Sequence, residues 1–146
     1  MIRRFGEPKR PDITYTLRPG SYAILPRQGK VLLTHEDGSD ENLQLPGGGI
    51  DPGESPTRAL YREVIEETGW TISRPRRIGV FRRFVFMPEY DLWAEKICHI
   101  FVAHPARQIG PPAEAGHTVI WADQTIASSL LGIDANRFFL ERALSS

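Results

Sequence analysis

Gly48-Gly49-Ile50-Asp51-Pro52-Gly53-Glu54 is followed, after seven residues, by Arg62-Glu63-Val64-Ile65-Glu66-Glu67-Thr68-Gly69-Trp70. The second half reads as a helix. Ser55 is a good N-cap, because its hydroxyl can accept from an orphan amide of the first turn. Pro56 suits the first helical position, where no amide donor is needed. Gly69 is a suitable stop, because it adopts the left-handed conformation without a steric penalty. At about 100° per residue, Glu63 and Glu67 lie roughly 40° apart, with Glu66 roughly 60° to the other side of Glu63. Leu60, Tyr61, Val64 and Thr68 fall on the adjoining face, which is expected to pack on a sheet.

Three carboxylates on one helical face repel one another by about 0.2–0.5 kcal/mol per pair on an exposed helix. They also occupy the last turns, where the helix dipole disfavours negative charge. Salt bridges to Arg58 and Arg62 would make this an ordinary solvated acidic face. A hard divalent cation would relieve both penalties, and Mg²⁺ binds carboxylates while keeping positions for water and substrate phosphate. The glycines at 47–49 favour the second reading. Consecutive glycines are entropically costly, and they make sense where backbone must approach a ligand or turn a carbonyl toward a metal.

The whole segment resembles the signature box of the Nudix hydrolase superfamily. That box reads Gly, five residues, Glu, seven residues, Arg-Glu, an aliphatic, any residue, Glu-Glu, any residue, Gly and a hydrophobic. Gly48, Glu54, Arg62, Glu63, Val64, Glu66, Glu67, Gly69 and Trp70 fill those places. Trp70 departs mildly, since an aliphatic residue is usual there. The resemblance implies an α/β/α sandwich around a mixed sheet, of the α/β (α+β) class, with the box as loop-helix-loop. It implies metal-dependent attack of water on phosphorus, cutting a phosphoanhydride bond in a nucleoside diphosphate linked to another group. Mg²⁺ would be the cofactor, with Mn²⁺ as a substitute. By position, Glu63 and Glu67 would ligate the metal. Glu66 would hold a metal or its water and act as base. Gly47 would offer its carbonyl to the metal. Arg62 would orient a catalytic glutamate, in a pair with Glu54. Relatives often draw one more acid or histidine from outside the box. Glu114, in the loop 110–116, is the candidate by position, with His117 next and Glu95 behind it. A homodimer is one assembly that the resemblance implies. The competing reading is a Nudix-like module that senses a nucleotide without cutting it. Such a module is expected to lack box carboxylates, and here all are present.

Outward from the box, Tyr15–Leu17 reads as a short strand stopped by Pro19-Gly20. Tyr22–Leu25 and Lys30–His35 read as strands joined by a turn at 26–29. Leu43–Leu45 reads as a short strand, residues 36–42 as a polar loop, and residues 1–12 as a loose lead-in. Downstream, Arg77–Met87 and Ala94–His104 read as strands. The latter is nearly continuously apolar, as in a central strand covered on both faces. Thr118–Trp121 reads as a last strand, and Ile126–Leu131 and Asn136–Leu144 as helices. Mostly strands with a mid-chain helix and terminal helices imply one domain over 1–146, a mixed sheet covered by helices.

Between Phe81 and Trp93 stand five aromatic residues and two arginines. Aromatic faces commonly line nucleoside pockets. Arg82 and Arg83 are candidates to meet phosphate, and Tyr90 and Trp93 to stack on a base. The alternative is that the phenylalanines are core and the arginines solvated.

The 146 residues are 40% apolar and 25% charged, with a formal net charge of zero. This balance is that of an ordinary globular domain, without the basic excess of a protein that binds duplex nucleic acid or membranes. A small anionic nucleotide remains compatible, because a local metal supplies positive charge. The single cysteine, Cys98, excludes an internal disulfide and reads as a buried small hydrophobe. No leader-like or membrane-spanning apolar run is visible, which points to a cytoplasmic protein.

Overall fold

The computed structural model describes residues 2–36, 43–113 and 116–145. The strands are β1 (Arg3–Arg4), β2 (Thr16–Ile24), β3 (Pro26–Arg27), β4 (Lys30–Glu36), β5 (Gly47–Gly49), β6 (Trp70–Met87), β7 (Leu92–Gln108) and β8 (His117–Asp123). The helices are α1 (Pro56–Thr68), α2 (Ala127–Leu130) and α3 (Asp134–Leu144). A five-stranded mixed sheet has the order β1-β6-β7-β2-β5, and a three-stranded antiparallel sheet has the order β3-β4-β8.

The period-two alternation of the strands sorts the core into two layers. Ala23, Leu25, Leu32, Phe101 and Ala103 meet Leu60 and Val64 of α1 on one side. Ile24, Val31, Leu33, Cys98 and Ile100 meet Ala135, Phe139 and Leu140 of α3 on the other. The result is the expected α/β/α sandwich around a mixed sheet. β7 is its middle strand, covered on both faces as its apolar run requires. Burying side chains such as Leu60 and Val64 contributes about 1.5–3 kcal/mol each.

α1 begins and ends as its caps dictate. Ser55 is extended and its hydroxyl accepts from the Arg58 amide. Gly69 has φ 77° and donates its amide to the Ile65 carbonyl. Leu60, Val64 and Thr68 are buried, as are Ala59 and Glu63, but Tyr61 is 37% exposed. Tyr61 stands about 100° round the helix from Leu60, which turns it off the packed face.

Several strands differ from expectation. β2 runs through Pro19-Gly20 without a break. The Pro19 carbonyl accepts from the Ile50 amide, beyond the Gly20–Tyr22 stretch that β5 pairs. The missing amide therefore falls at a sheet edge, where proline is tolerated. β6 starts at Trp70 rather than Arg77, with register shifts at 71/72, 73/76 and 77/79. Bulges of this kind let a strand absorb a proline such as Pro75 and continue. Leu43–Leu45 makes isolated bridges to Thr34 and Leu131 instead of a strand. Within the expected loose lead-in, Arg3–Arg4 pairs in parallel with β6, and Phe5 packs edge-on to Phe81, 5.6 Å between ring centres. Packing holds that part of the segment. Among the described residues, no helix is long and apolar enough to cross a membrane.

Candidate active site

Arg62 is the hub of the box. Its Nε and Nη2 donate to the two oxygens of Glu54, each at 2.8 Å. Its Nη1 donates to Glu63 Oε1 at 2.8 Å and to Glu66 Oε2 at 3.3 Å. Nη2 also donates to the Gly49 carbonyl at 2.9 Å. The forked geometry of a guanidinium permits this division, and a lysine could not reproduce it. The Arg62 hydrogen bonds, followed by the Asp51 amide, hold the Glu54 carboxyl down to about 2. The same bond to Glu54 is the main influence that pushes the Arg62 guanidinium further up.

The glycines of β5 bring the backbone against these carboxylates. A Cβ on Gly48 would lie 2.4 Å from Glu63 Oε2, so only glycine leaves the Glu63 carboxylate where it is. The Gly47 amide donates to Glu67 Oε1 at 3.0 Å. Ser21 Oγ donates to the Pro56 carbonyl at 2.7 Å, tying β2 to the start of α1. At the other end, the Gly69 carbonyl accepts from Ile109 and the Glu66 carbonyl from Ala113, both at 2.8 Å. The loop between β7 and β8 is thereby fastened to the end of α1. His117, at the start of β8, places Nδ1 3.9 Å from Glu67 Oε2. Glu114 lies outside the described residues.

Glu54, Glu63, Glu66 and Glu67 therefore gather around Arg62 and β5, as the box spacing implied. Among the described residues, no three His, Cys, Asp or Glu side chains are arranged to hold a metal ion. Arg62 supplies the positive charge that Glu54, Glu63 and Glu66 share. The donor set still suits a hard cation. It consists of carboxylate oxygens, and two of them, from Glu63 and Glu66, already converge on one Arg62 nitrogen.

A cavity of about 270 Å³ opens on the α3 side of the sheet, lined by Tyr22, Gln44, Phe81, Arg83, Lys96 and Asn136 among others. Tyr22, the register partner of Gly47, lines it. Burial raises the Tyr22 phenol most, then the charges of Cys98, Glu67 and Glu63, while Arg83 opposes them. Of the substrate candidates, only Arg83 lines this cavity. Arg82, one residue earlier, faces the other side and sets Nε 2.9 Å from Glu95 Oε2. Tyr90 is 56% exposed in the β6–β7 turn, beneath the Arg18 guanidinium. Trp93 packs with Phe86 and Tyr15 in a separate, largely apolar groove. Cys98 is buried, as expected of a small hydrophobe, and burial pushes its thiol pKa up against the opposing charges of Lys96 and Arg83. Sequence reasoning missed Tyr22, Lys96 and Asn136. Lys96 carried a signal, being the lone lysine of the central strand, directly before the apolar run that starts at Ile97.

Residues 15–131 match the family model described as NUDIX domain. A Bacillus subtilis (strain 168) protein named "Putative 8-oxo-dGTP diphosphatase" is 35% identical over 74 residues, 51% of this chain and 50% of that one. The RNA pyrophosphohydrolase of Proteus mirabilis (strain HI4320) is 52% identical over 46 residues, 32% of this chain and 26% of its own. The chain thus spans about half the length of the first of these relatives and about a quarter of the second. Among solved structures, a MutT protein from Bacillus halodurans superposes with a TM-score of 0.74 at 22% identity, covering 88% of this chain and 83% of that one. The E. coli ORF135 protein gives 0.63 at 25% identity, over 90% and 91% of the two chains.

Proposed function

The chain belongs to the NUDIX domain family, and from that premise we propose that it is a metal-dependent pyrophosphohydrolase. Its substrate is a nucleoside diphosphate linked to a further group, and it cuts a phosphoanhydride bond. The observation that carries this reading is the complete carboxylate cluster around Arg62, with the Gly48 backbone against Glu63 and a cavity lined by Tyr22, the register partner of Gly47. The names of relatives that cut nucleoside or RNA phosphoanhydrides support it.

Glu63, Glu66 and Glu67, with the Gly47 carbonyl, would hold the metal, Mg²⁺ with Mn²⁺ as substitute. A bound divalent cation supplies charge neutralisation of the phosphate oxygens and lowers the pKa of its water. Glu66 takes a proton from the attacking water, as a carboxylate base within reach of it can. Arg62, fixed by Glu54, orients Glu63 and Glu66. Glu114 or His117 contributes one further group from outside the box, and His117 stands beside Glu67. Arg83 meets the substrate from within the cavity, while Arg82, Tyr90 and Trp93 stand further from it. Positioning and charge neutralisation do most of the work, as in phosphoryl transfer generally. The protein acts in the cytoplasm on a small nucleotide.

The test is phosphate release from a panel of nucleoside triphosphates, nucleotide sugars, ADP-ribose and dinucleoside polyphosphates, with Mg²⁺ or Mn²⁺ and a coupled phosphatase. Metal-dependent turnover of at least one class is expected, and the products identify the phosphorus attacked. Tight nucleotide binding with no turnover across the panel would mark a sensing module instead.

A further inference from the structure

The cavity wall carries a row of like charges that the carboxylate chemistry does not use. Arg83 and Lys96 are direct register partners across β6 and β7, and Lys96 is in turn the register partner of Arg18 on β2. Three cations thus stand side by side on adjacent strands, about 4.8 Å apart. Like charges directly opposite one another destabilise a sheet. Here the cost is increased by desolvation, which lowers the pKa of both Arg83 and Lys96. Neither makes an ion pair within the described residues. Glu89, the carboxylate on the cavity's lining, acts on Lys96 only at longer range. Lys96 Nζ instead lies 5.8 Å from the Tyr22 ring centre.

We propose that Arg83 and Lys96, with Arg18 at the rim, form a second anion subsite, which binds a phosphate lying one nucleoside away from the scissile diphosphate. This rests on the preceding reading of the carboxylate cluster and names the kind of substrate that cluster serves.

Spacing separates the subsite from the phosphates of the anhydride. Gly48 pairs with Ser21, and Lys96 with Arg18, so two strand spacings and three residues lie between them. That is about 14 Å between Cα atoms, at 4.8 Å per strand and 3.3 Å per residue. Neighbouring phosphates of one polyphosphate chain share a bridging oxygen and lie close together, whereas the 5′- and 3′-phosphates of a nucleotide are held apart across the ribose, and the long Lys96 and Arg83 side chains reach over the remaining distance. The cavity, about 270 Å³, is at the small end for ligand sites and suits one such unit. The chemistry is shared by a nucleotide with a free 3′-phosphate and by the first phosphodiester of an oligonucleotide.

Binding without metal separates this proposal from hydrolysis. Affinities are measured by calorimetry for adenosine 5′-monophosphate, adenosine 3′,5′-bisphosphate and a 5′-phosphorylated dinucleotide, using wild type, Lys96→Gln and Arg83→Gln, each checked for folding by circular dichroism. Wild type is expected to prefer at least one doubly charged ligand by about tenfold or more, and the variants to lose that preference. Preference for the bisphosphate assigns a free mononucleotide, and preference for the dinucleotide assigns an oligonucleotide end. Equal affinity for all three ligands in wild type, or an unchanged preference in both variants, overturns the subsite whatever the catalytic assay gives.

Discussion

Gly48 and Glu63 are in such close approach that a single methyl group cannot be placed between them. A Cβ on Gly48 would stand 2.4 Å from Glu63 Oε2 and 2.5 Å from its carboxyl carbon. The atoms it meets belong to the end of a flexible side chain, so the backbone need not move. Gly48→Ala should therefore fold, displace the Glu63 carboxylate, and reduce kcat by about tenfold or more, roughly 1.4 kcal/mol. Steady-state kinetics with a parallel thermal melt check this. Full activity with an unchanged melt would show that the position of Glu63 is immaterial.

Glu63→Gln and Glu67→Gln remove charge while keeping shape. Each should leave the fold intact and lower turnover by a factor on the order of 10³, about 4 kcal/mol. Retained turnover in the correctly folded double variant contradicts the assigned roles.

The Glu54–Arg62 fork makes stability depend on acid. Glu54 is held at about 2 against an ordinary 4.5, first by its bond to Arg62 and then by the Asp51 amide. Its folded pKa is depressed, so its contribution is fully present above 4.5 and is lost as pH falls toward 2. Urea midpoints measured from about pH 6 to about pH 2 should decline for wild type more steeply than for Glu54→Gln across that window. Parallel curves would deny the fork any linkage to folding.

Gly69 ends α1 with a positive φ, and a Cβ there would fall 1.9 Å from the Gly110 carbonyl oxygen. Both strain and clash involve backbone. Gly69→Ala should cost more than about 1 kcal/mol of stability, read as a fall in the urea midpoint. An unaffected midpoint would mean that the β7–β8 loop is not seated on the helix end.

Local chemistry made α1 legible in the sequence, because Ser55, Pro56 and Gly69 each act within a turn of their own position. The carboxylate face followed from the same helical period. β7 was legible from its apolar run. What escaped depends on partners distant in the chain. Pro19 breaks a strand on local grounds, yet β5 stops short of it and the break disappears. The bulges of β6 that accommodate Pro75 arise from pairing with β7. Arg82 and Arg83 look alike in sequence, and only the register of β6 sends one to Glu95 and the other into the cavity. Tyr90 and Trp93 were singled out for being aromatic, although their neighbours are Arg18 and Tyr15. Tyr22 and Asn136 come to line one cavity only through tertiary packing, which no short motif encodes.

Mn²⁺ uptake followed by electron paramagnetic resonance, with a non-hydrolysable nucleoside diphosphate analogue present, examines the carboxylate cluster itself. Wild type should bind the ion at the box, and the Glu63→Gln, Glu67→Gln double variant should bind it at least tenfold more weakly. Equal uptake by the two proteins, or none by wild type, would contradict a metal site at these glutamates.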